Sequence, residues 1–147
     1  MGLAKIFEWT TIIGASALFL ALSIISAIIL YQINYPLASA SGNNNNNNFE
    51  TIKVVAHQFY WEFKYPNGTT APSLKIKANQ MYLLEITSAD VIHSFFIPEL
   101  GLKQDAYPNY TTRIWLNITQ PGIYHVYCTE YCGTGHHTMI TIITVVS

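Results

Sequence analysis

The chain has 147 residues, of which 50% are hydrophobic and only 10% are charged, and its formal net charge is −1. Soluble domains usually carry about 25% charged residues, so part of this chain is unusually apolar, and its near-neutral charge excludes the basic surface that nucleic-acid binding requires. The length allows one domain of ordinary size and one accessory segment.

The N-terminal part of the chain contains one long apolar segment. No Asp, Glu, Lys or Arg occurs between Trp9 and Phe49, and residues 10–33 are mostly Ile, Leu and Ala. About 20 such residues are needed to cross the hydrocarbon core of a membrane as a helix. The pattern predicts one N-terminal transmembrane helix within residues 1–36. An Asn-rich polar linker is predicted over residues 37–48, because nothing in it can bury apolar surface.

A cleaved signal peptide is the alternative for the apolar segment. Lys5 would supply its charged end, and residues 38–40 (Ala-Ser-Ala) resemble a cleavage site. The apolar run is longer than a typical signal core, which favours an anchor that stays attached. The predicted arrangement is a single pass through the plasma membrane with an extracytoplasmic C-terminal domain, which three N-x-Thr sequons at Asn67, Asn109 and Asn117 fit.

Beyond Phe49 the hydrophobic pattern changes to period two. Residues 53–65 alternate as one strand that places His57 on the same face as the core-facing aromatics, and a turn at residues 66–68 (Pro-Asn-Gly) ends it. Many short strands and no further helix of ordinary length predict a mainly β domain over residues 49–147, built as a sandwich or barrel. The further predicted strands are 73–77, 81–87, 113–119, 123–127 and 139–146.

The two cysteines of the chain lie in one compact motif. Cys128, Cys132, His136 and Met139 have the spacing Cys-x3-Cys-x3-His-x2-Met, between two predicted strands. Glycines at positions 133 and 135 allow the loop to fold tightly enough for its side chains to converge.

Several kinds of site compete for this motif. A disulfide is the default for two extracytoplasmic cysteines, a structural zinc site would use two Cys and two His, and the residues could also be unrelated surface and core positions. Copper accommodates thiolate, imidazole and thioether together. A mononuclear blue-copper site has one cysteine, whereas the two here could bridge two copper ions. The motif therefore favours a dinuclear copper site.

A second histidine ligand has to come from elsewhere in the chain. His93, before a predicted turn at Pro98, is the best candidate. His57 is interpreted as a packed or hydrogen-bonded residue, His125 as a mid-strand residue, and His137 as pointing away from its ligating neighbour.

Three blocks of this sequence, at residues 90–95, 98–106 and 128–139, resemble subunit II of the haem–copper oxygen reductases, the cytochrome oxidase subunit that carries the dinuclear copper A centre. They stand in the family's order, and the last is highly specific. The resemblance is to the short, single-anchor bacterial and archaeal type. It implies a cupredoxin-like Greek-key β-barrel or sandwich.

The resemblance also implies the ligands. The two cysteines would bridge the copper ions, His93 and Met139 would complete one ion, and His136 with the backbone carbonyl of Glu130 would complete the other. The implied set in chain order is His93, Cys128, Glu130, Cys132, His136 and Met139.

As a function, the resemblance implies the electron-accepting subunit of a terminal oxidase, which is not an enzyme alone. Electrons would come from an external donor, a cytochrome c or a small blue copper protein. They would pass to haem in the membrane partner, subunit I, where oxygen reduction is coupled to proton translocation. The Glu130 side chain would reach a magnesium ion at the contact with subunit I.

The aromatic run Phe59, Tyr60 and Trp61 resembles the family's electron relay, but a tryptophan stands at the position of Phe59 in well-known members. Packing inside a β-barrel explains these aromatics equally well. Because residues 49–147 carry seven acidic and six basic residues, we expect an apolar, weakly salt-dependent docking surface for the donor.

Two other functions remain open from the sequence. The chain could be the copper A subunit of a nitric oxide reductase, which would have the same motif. It could also be a copper-delivery protein, although such a protein would need exposed, sequential ligands.

Overall fold

A computed structural model of the protein describes residues 2–34 and 49–147. The chain forms two compact units, one up to residue 47 and one from residue 48. The predicted linker, residues 37–48, and the Ala-Ser-Ala stretch within it lie outside the described residues, so both stay predictions.

The N-terminal unit contains a single described helix, α1, which spans Leu3–Asn34. It begins seven residues before the apolar run of residues 10–33, because nothing between Leu3 and Trp9 breaks a helix. Within it, Leu3–Gln32 is long and apolar enough to cross a membrane, and an 18-residue window of this segment has a mean hydropathy of 2.5. The described side chains of α1 are exposed on every face, so the helix has no side packed against a core as an amphipathic helix would.

The C-terminal unit consists of ten strands, which confirms a mainly β domain. Two single-turn 3-10 helices, Pro98–Leu100 and His136–Thr138, are its only described helical segments within residues 49–147. The strands are β1 Phe49–His57, β2 Tyr60–Lys64, β3 Thr70–Ala71, β4 Leu74–Lys77, β5 Met81–Ser88, β6 His93–Ile97, β7 Leu102–Ala106, β8 Thr112–Asn117, β9 Gly122–Cys128 and β10 Ile140–Val146.

These strands form two five-stranded sheets. The first has the order β3-β2-β1-β5-β8 and the second the order β4-β10-β9-β6-β7. The β1–β5 and β4–β10 pairs are parallel, and the other pairs are antiparallel. Since strands that follow one another in the chain repeatedly change sheets, the unit is a sandwich with crossover connections rather than a simple meander.

The prediction of one continuous strand over residues 53–65 is wrong, because the chain reverses between β1 and β2. The two strands pair antiparallel, with Val54 opposite Phe63 and Ala56 opposite Trp61. The turn changes which residues face inward: even-numbered residues are buried in β1 and odd-numbered ones in β2. His57 therefore lies on the outer face, half-buried, with its ring stacked on Tyr60 at 4.6 Å. It is packed as expected but does not face the core.

Three further strands were not predicted, of which the shortest is β3 at Thr70–Ala71. Residues 93–97 form β6, whose first residue is His93, and residues 102–106 form β7. None of the residues of β6 is exposed. Buried and exposed positions therefore do not alternate, and the strand lacks the period-two pattern. The turn expected at Pro98 is present as a 3-10 helix that ends at Gly101, where φ is 62°.

The inner faces of the two sheets form one hydrophobic core. Side chains from both sheets interdigitate there, as in other β-sandwiches. Strands β9 and β10 flank the cysteine motif, and β6 begins at His93. Because the core packs these three strands against β1 and β2, it fixes which chain segments meet at one end of the sandwich. The largest fully buried side chains are Trp61, Phe63, Phe95, Ile52, Leu74, Leu84, Ile86, Ile97, Leu116, Met139, Ile143 and His93.

Candidate metal centre

The Cys-x3-Cys-x3-His-x2-Met motif forms a loop, residues 128–139, that we call the ligand loop. It connects β9 to β10, which pair antiparallel from Tyr127 opposite Ile140 onward. The Cys128 N–H donates to the Met139 carbonyl at 3.1 Å and closes the loop at its base. The Thr129 N–H donates to the Ser94 carbonyl at 3.1 Å and ties the loop to β6. Both ends of the loop are thus fixed by sheet hydrogen bonds.

The two cysteine side chains meet at the centre of the loop. Cys128 and Cys132 are 7% and 4% exposed, and their Sγ atoms lie 3.9 Å apart. Both are free thiols. The disulfide alternative is therefore not realised in this structure, and two buried sulfur atoms are available as ligands.

The other predicted ligands surround these two sulfur atoms. His93 Nδ1 lies 3.7 Å from Cys128 Sγ, and this nitrogen and the two sulfurs are all within 4.8 Å of one another. His136 Nδ1 lies 3.4 Å from Cys132 Sγ, and Met139 Sδ lies 3.9 Å from the same sulfur.

The sixth predicted donor is a backbone carbonyl. The Cys128 thiol donates to the carbonyl of Glu130 at 3.3 Å. The structure therefore brings together all six positions of the predicted ligand set. The Glu130 side chain is exposed, and its predicted role toward magnesium stays a prediction.

Burial changes the acidity of the thiol at Cys132. Desolvation, and then the neighbouring Cys128, raises the pKa of Cys132 to about 11. Without a metal this thiol holds its proton at neutral pH. A metal ion has to displace that proton in order to bind the thiolate.

Asp90 holds the ring of His93 in place, a role that sequence analysis missed. Its Oδ1 atom lies 2.7 Å from His93 Nε2, on the opposite side of the ring from the nitrogen that faces Cys128. Burial would raise the pKa of Asp90, but hydrogen bonds from His93 and from the Gln58 and Val91 N–H groups lower it to about 2. A carboxylate at Nε2 keeps the proton there and leaves Nδ1 free to bind a metal.

The turn between β1 and β2 lies against the ligand loop and joins it to Asp90. The Gln58 side-chain amide donates to the Cys132 carbonyl at 2.5 Å, and the Gln58 N–H donates to Asp90 Oδ2 at 2.6 Å. Gln58 therefore connects the loop to the residue that orients His93.

Phe59, the second residue of this turn, packs on the glycines of the ligand loop. A Cβ atom added at Gly133 would lie 3.1 Å from Phe59 Cε1 and Cζ, and one added at Gly135 would lie 2.7 Å from Phe59 Cγ and Cε2. Gly133 also has a φ of 132°, which favours glycine. Gly135 has an ordinary φ of −89°, so it is needed for space rather than for the tight backbone that sequence analysis expected.

The three aromatics proposed as a relay occupy three different environments. Phe59 is half-buried on the ligand loop, and Tyr60 is 53% exposed on the outer face. Trp61 is 1% exposed, with its ring 6.2 Å from His93 and 5.2 Å from Phe95. Phe59 and Trp61 therefore adjoin the centre, whereas Tyr60 does not reach it in this arrangement.

The remaining histidines lie away from the sulfur atoms. His125 is exposed in β9, where its Nδ1 atom lies 2.7 Å from Glu99 Oε1, and His137 is exposed beside His136. Both agree with the interpretation that these residues are not ligands.

The match to a known protein family covers all six predicted ligand positions. Residues 69–146, just over half of the chain, match the family model "Cytochrome C oxidase subunit II, periplasmic domain". The chain belongs to this family.

Curated relatives match about two thirds of the chain. Cytochrome c oxidase subunit 2 of Alkalihalophilus pseudofirmus is 39% identical over 90 residues, which cover 60% of this chain and 26% of that protein. A probable cytochrome c oxidase subunit 2 of Rickettsia bellii is 38% identical over 120 residues, 66% of this chain and 45% of that protein. The chain thus spans less than half the length of these relatives.

Solved structures confirm the cupredoxin-like fold. The periplasmic domain of subunit II of cytochrome oxidase of Bradyrhizobium japonicum is 30% identical, with a TM-score of 0.63 over 67% of this chain and 84% of that one. A chain of a haem-copper terminal oxidase dimer has the same fold at 23% identity and a TM-score of 0.56, over 90% of this chain and 99% of that one.

We predict that Gly135→Ala destabilises the C-terminal unit by about 1–3 kcal/mol, because the new methyl group overlaps the Phe59 ring. Urea unfolding of the detergent-solubilised chain measures this. Gly122→Ala is the matched control, since its Cβ would meet nothing closer than 3.8 Å. In the Phe59→Ala background the cost at Gly135 should shrink, and additive costs of the two substitutions would contradict the packing explanation.

We predict that Asp90→Asn lowers the affinity of the centre for copper by about 10–100-fold, because the amide holds the Nε2 proton of His93 less strongly. Competition with a copper chelator measures it. Glu85→Gln removes an acidic group that pairs with Arg113 on the surface, 3.0 Å away, and should leave the affinity within about twofold. Equal affinities of the Asp90→Asn and wild-type chains would show that Asp90 does not position His93.

Proposed function

We propose that this chain is the electron-accepting subunit of a terminal oxidase and that its ligand loop holds a dinuclear copper centre. One observation carries the proposal: two imidazole nitrogens, one thioether and one carbonyl each lie 3.3–3.9 Å from one of the two buried thiol sulfurs. Membership of the cytochrome c oxidase subunit II family supports the same function.

The donor set fits copper better than the alternatives. Thiolate and thioether sulfur select copper among first-row metals, and imidazole suits it as well, whereas a zinc site has no use for Met139. The separation of 3.9 Å between the two sulfurs is less than twice a metal–sulfur bond of about 2.3 Å. Cys128 and Cys132 are therefore close enough for one ion to contact both.

A dinuclear copper centre held by Cys128, Cys132 and the neighbouring donors would supply a one-electron carrier. The chain's own contribution is to keep the donors still and dry. His93 and Met139 are 0% exposed, the Cys128–Met139 hydrogen bond fixes the base of the loop, and Asp90 orients His93. A site whose ligands are held by sheet hydrogen bonds changes little in geometry when the charge changes, which favours rapid electron transfer.

Burial of the ligands also weighs against the copper-delivery alternative. A delivery protein has to present its ligands to a partner that takes the metal from it. Here two ligands are completely buried and two others are less than 8% exposed. Nitric oxide reduction stays an alternative that the activity of the whole complex decides.

The remaining parts of the proposal concern the assembly. Helix α1 anchors the chain in the plasma membrane by a single pass, and the C-terminal unit lies on the extracytoplasmic side. A haem-bearing subunit I receives the electrons and reduces oxygen with proton translocation. The exposed Glu130 carboxylate faces that subunit and binds magnesium at the contact, and Phe59 and Trp61, which adjoin the centre, serve as relay residues.

The donor docks on an apolar surface around the ligand loop. Four exposed hydrophobic side chains belong to segments that contact the loop or carry its ligands, and we call them the docking patch: Tyr60, Val91, Ile92 and Tyr131. Val91 and Ile92 directly precede His93, and Tyr131 lies between the two cysteines, with its ring 5.9 Å from His136. An exposed apolar cluster beside a redox centre fits a donor, cytochrome c or small blue copper protein, whose own contact face is apolar.

The complex purified from native membranes should contain a co-purifying haem protein and have oxygen-reducing activity with a reduced donor, and this chain separated from it should hold two copper ions. Cys132→Ser should abolish copper retention by this chain and the activity of the complex, because it removes a central sulfur. Thr134→Ala, at an exposed loop position that supplies no ligand, should preserve both. Preferential reduction of nitric oxide would select the alternative, and zinc in place of copper would refute the proposal.

We expect the rate at which the donor reduces the centre to change by less than about threefold between 20 and 200 mM ionic strength, because the docking patch carries no charge. Tyr131→Ser should lower that rate by about tenfold, as for an exposed aromatic at the centre of a contact. Ile123→Ser, which changes a residue 61% exposed on β9 and outside the patch, is the control. A steep fall of the rate with salt would refute apolar docking.

A further inference from the structure

The proposed function does not account for the three N-x-Thr sequons at Asn67, Asn109 and Asn117. We propose that Asn67 carries an N-linked glycan and that the other two do not. This inference rests on the proposed function in one respect, since glycan transfer requires the C-terminal unit to lie on the extracytoplasmic side.

The Asn67 sequon already has the internal hydrogen bonds of a compact turn. The Thr69 hydroxyl donates to Asn67 Oδ1 at 2.7 Å, and the Thr69 N–H donates to the same oxygen at 3.0 Å. Neither bond uses the amide nitrogen Nδ2, to which a sugar would be attached. Among the described residues, the sequons at Asn109 and Asn117 have no such bonds.

The turn is also accessible. Pro66 and the three sequon residues are exposed between β2 and β3. Gly68 has a φ of 84°, and a Cβ built on it would meet nothing within 4 Å. A transferring enzyme can therefore approach the turn from open solvent without unfolding either strand.

The transfer needs one co-reactant, an oligosaccharide linked through phosphate to a lipid. The bond between the sugar C1 and the phosphate oxygen breaks, and a bond forms between C1 and Asn67 Nδ2. The lipid phosphate leaves, and one Nδ2 proton passes to a base of the transferring enzyme. No electron is exchanged, so the copper centre is not involved.

Asn109 lies at the end of the sandwich that carries the metal centre. Its neighbour Pro108 forms a bridge with Ser88, and the Ser88 hydroxyl lies 3.3 Å from Asp90, the residue that orients His93. A glycan at Asn109 would stand beside the surfaces that the donor and the partner subunit need.

Asn117 is held in the sheet. It is the last residue of β8 and pairs with Met81. The middle residue of its sequon, Ile118, is 2% exposed, and its carbonyl accepts the Asn79 N–H at 2.9 Å. The backbone of this sequon cannot adopt a turn unless those contacts break.

Asn67, by contrast, lies far from the centre. Strand β2 begins at Tyr60, next to the ligand loop, and ends at Lys64 just before the turn. Five residues of extended chain cover about 16 Å. A glycan at this position leaves the docking patch and the ligand loop uncovered, so it is compatible with electron transfer.

Trypsin separates the three sequons, which allows a direct test on the chain isolated from native membranes. Cleavage after Lys64 and Lys75 gives a peptide with Asn67 alone, and cleavage after Lys103 and Arg113 gives one with Asn109 alone; Asn117 lies in the peptide that follows. Tandem mass spectrometry should find an oligosaccharide only on the Asn67 peptide. Asn67→Gln and Thr69→Val should each lose that mass completely, whereas Asn109→Gln should keep it.

An unmodified Asn67 peptide, or a glycan only on the Asn109 or Asn117 peptide, would overturn the inference. Its failure is distinguishable from failure of the proposed function. Copper content and the sidedness of the C-terminal unit, measured by protease protection in sealed vesicles, do not depend on the glycan. An extracytoplasmic, copper-loaded chain with a bare Asn67 refutes this inference alone.

Discussion

The hydrogen bond between the Cys128 N–H and the Met139 carbonyl, 3.1 Å long, is the constraint on which the site depends. It closes the ligand loop at its base, so that four ligand side chains and one ligand carbonyl must project from a single short loop. The pairing of β9 with β10 supports it from below, and the Thr129–Ser94 bond fixes the loop relative to β6, which supplies His93. A ligand set that runs from residue 93 to residue 139 is thereby held within a few ångströms, with most of the ordering entropy already lost on folding.

The sandwich also determines what surrounds the loop. Because β1 and β2 reverse direction at the same end, Gln58 and Phe59 lie on the loop, and the β5–β6 connection places Asp90 within 2.7 Å of His93. These contacts connect the aromatic run to the metal centre by packing. Gly135 leaves the space that the Phe59 ring occupies.

The sequence predicted the parts of this structure that depend on local pattern. The apolar run predicted α1, period two predicted most strands, and the spacing from Cys128 to Met139 predicted which side chains of the loop converge. His93 was selected as the best remaining histidine, and its assignment to one copper ion came only with the family resemblance, because nothing local joins it to the cysteines. Asp90 and Gln58 were missed, and Gly135 was explained wrongly, because their roles come from segments brought together by the sheet topology. The reversal at Gln58 was missed because apolar residues still alternate along the sequence across the turn. The buried positions nevertheless change from even-numbered residues in β1 to odd-numbered residues in β2.

The central claim is that Cys128 and Cys132 together hold two copper ions that act as one electron carrier. Electron paramagnetic resonance of the copper-loaded full-length chain tests it most directly. We expect one unpaired electron shared equally by two copper nuclei, seen as hyperfine splitting from two equivalent nuclei, with two copper ions bound per chain. A spectrum from a single copper nucleus, or a chain that binds one copper ion, would contradict the claim.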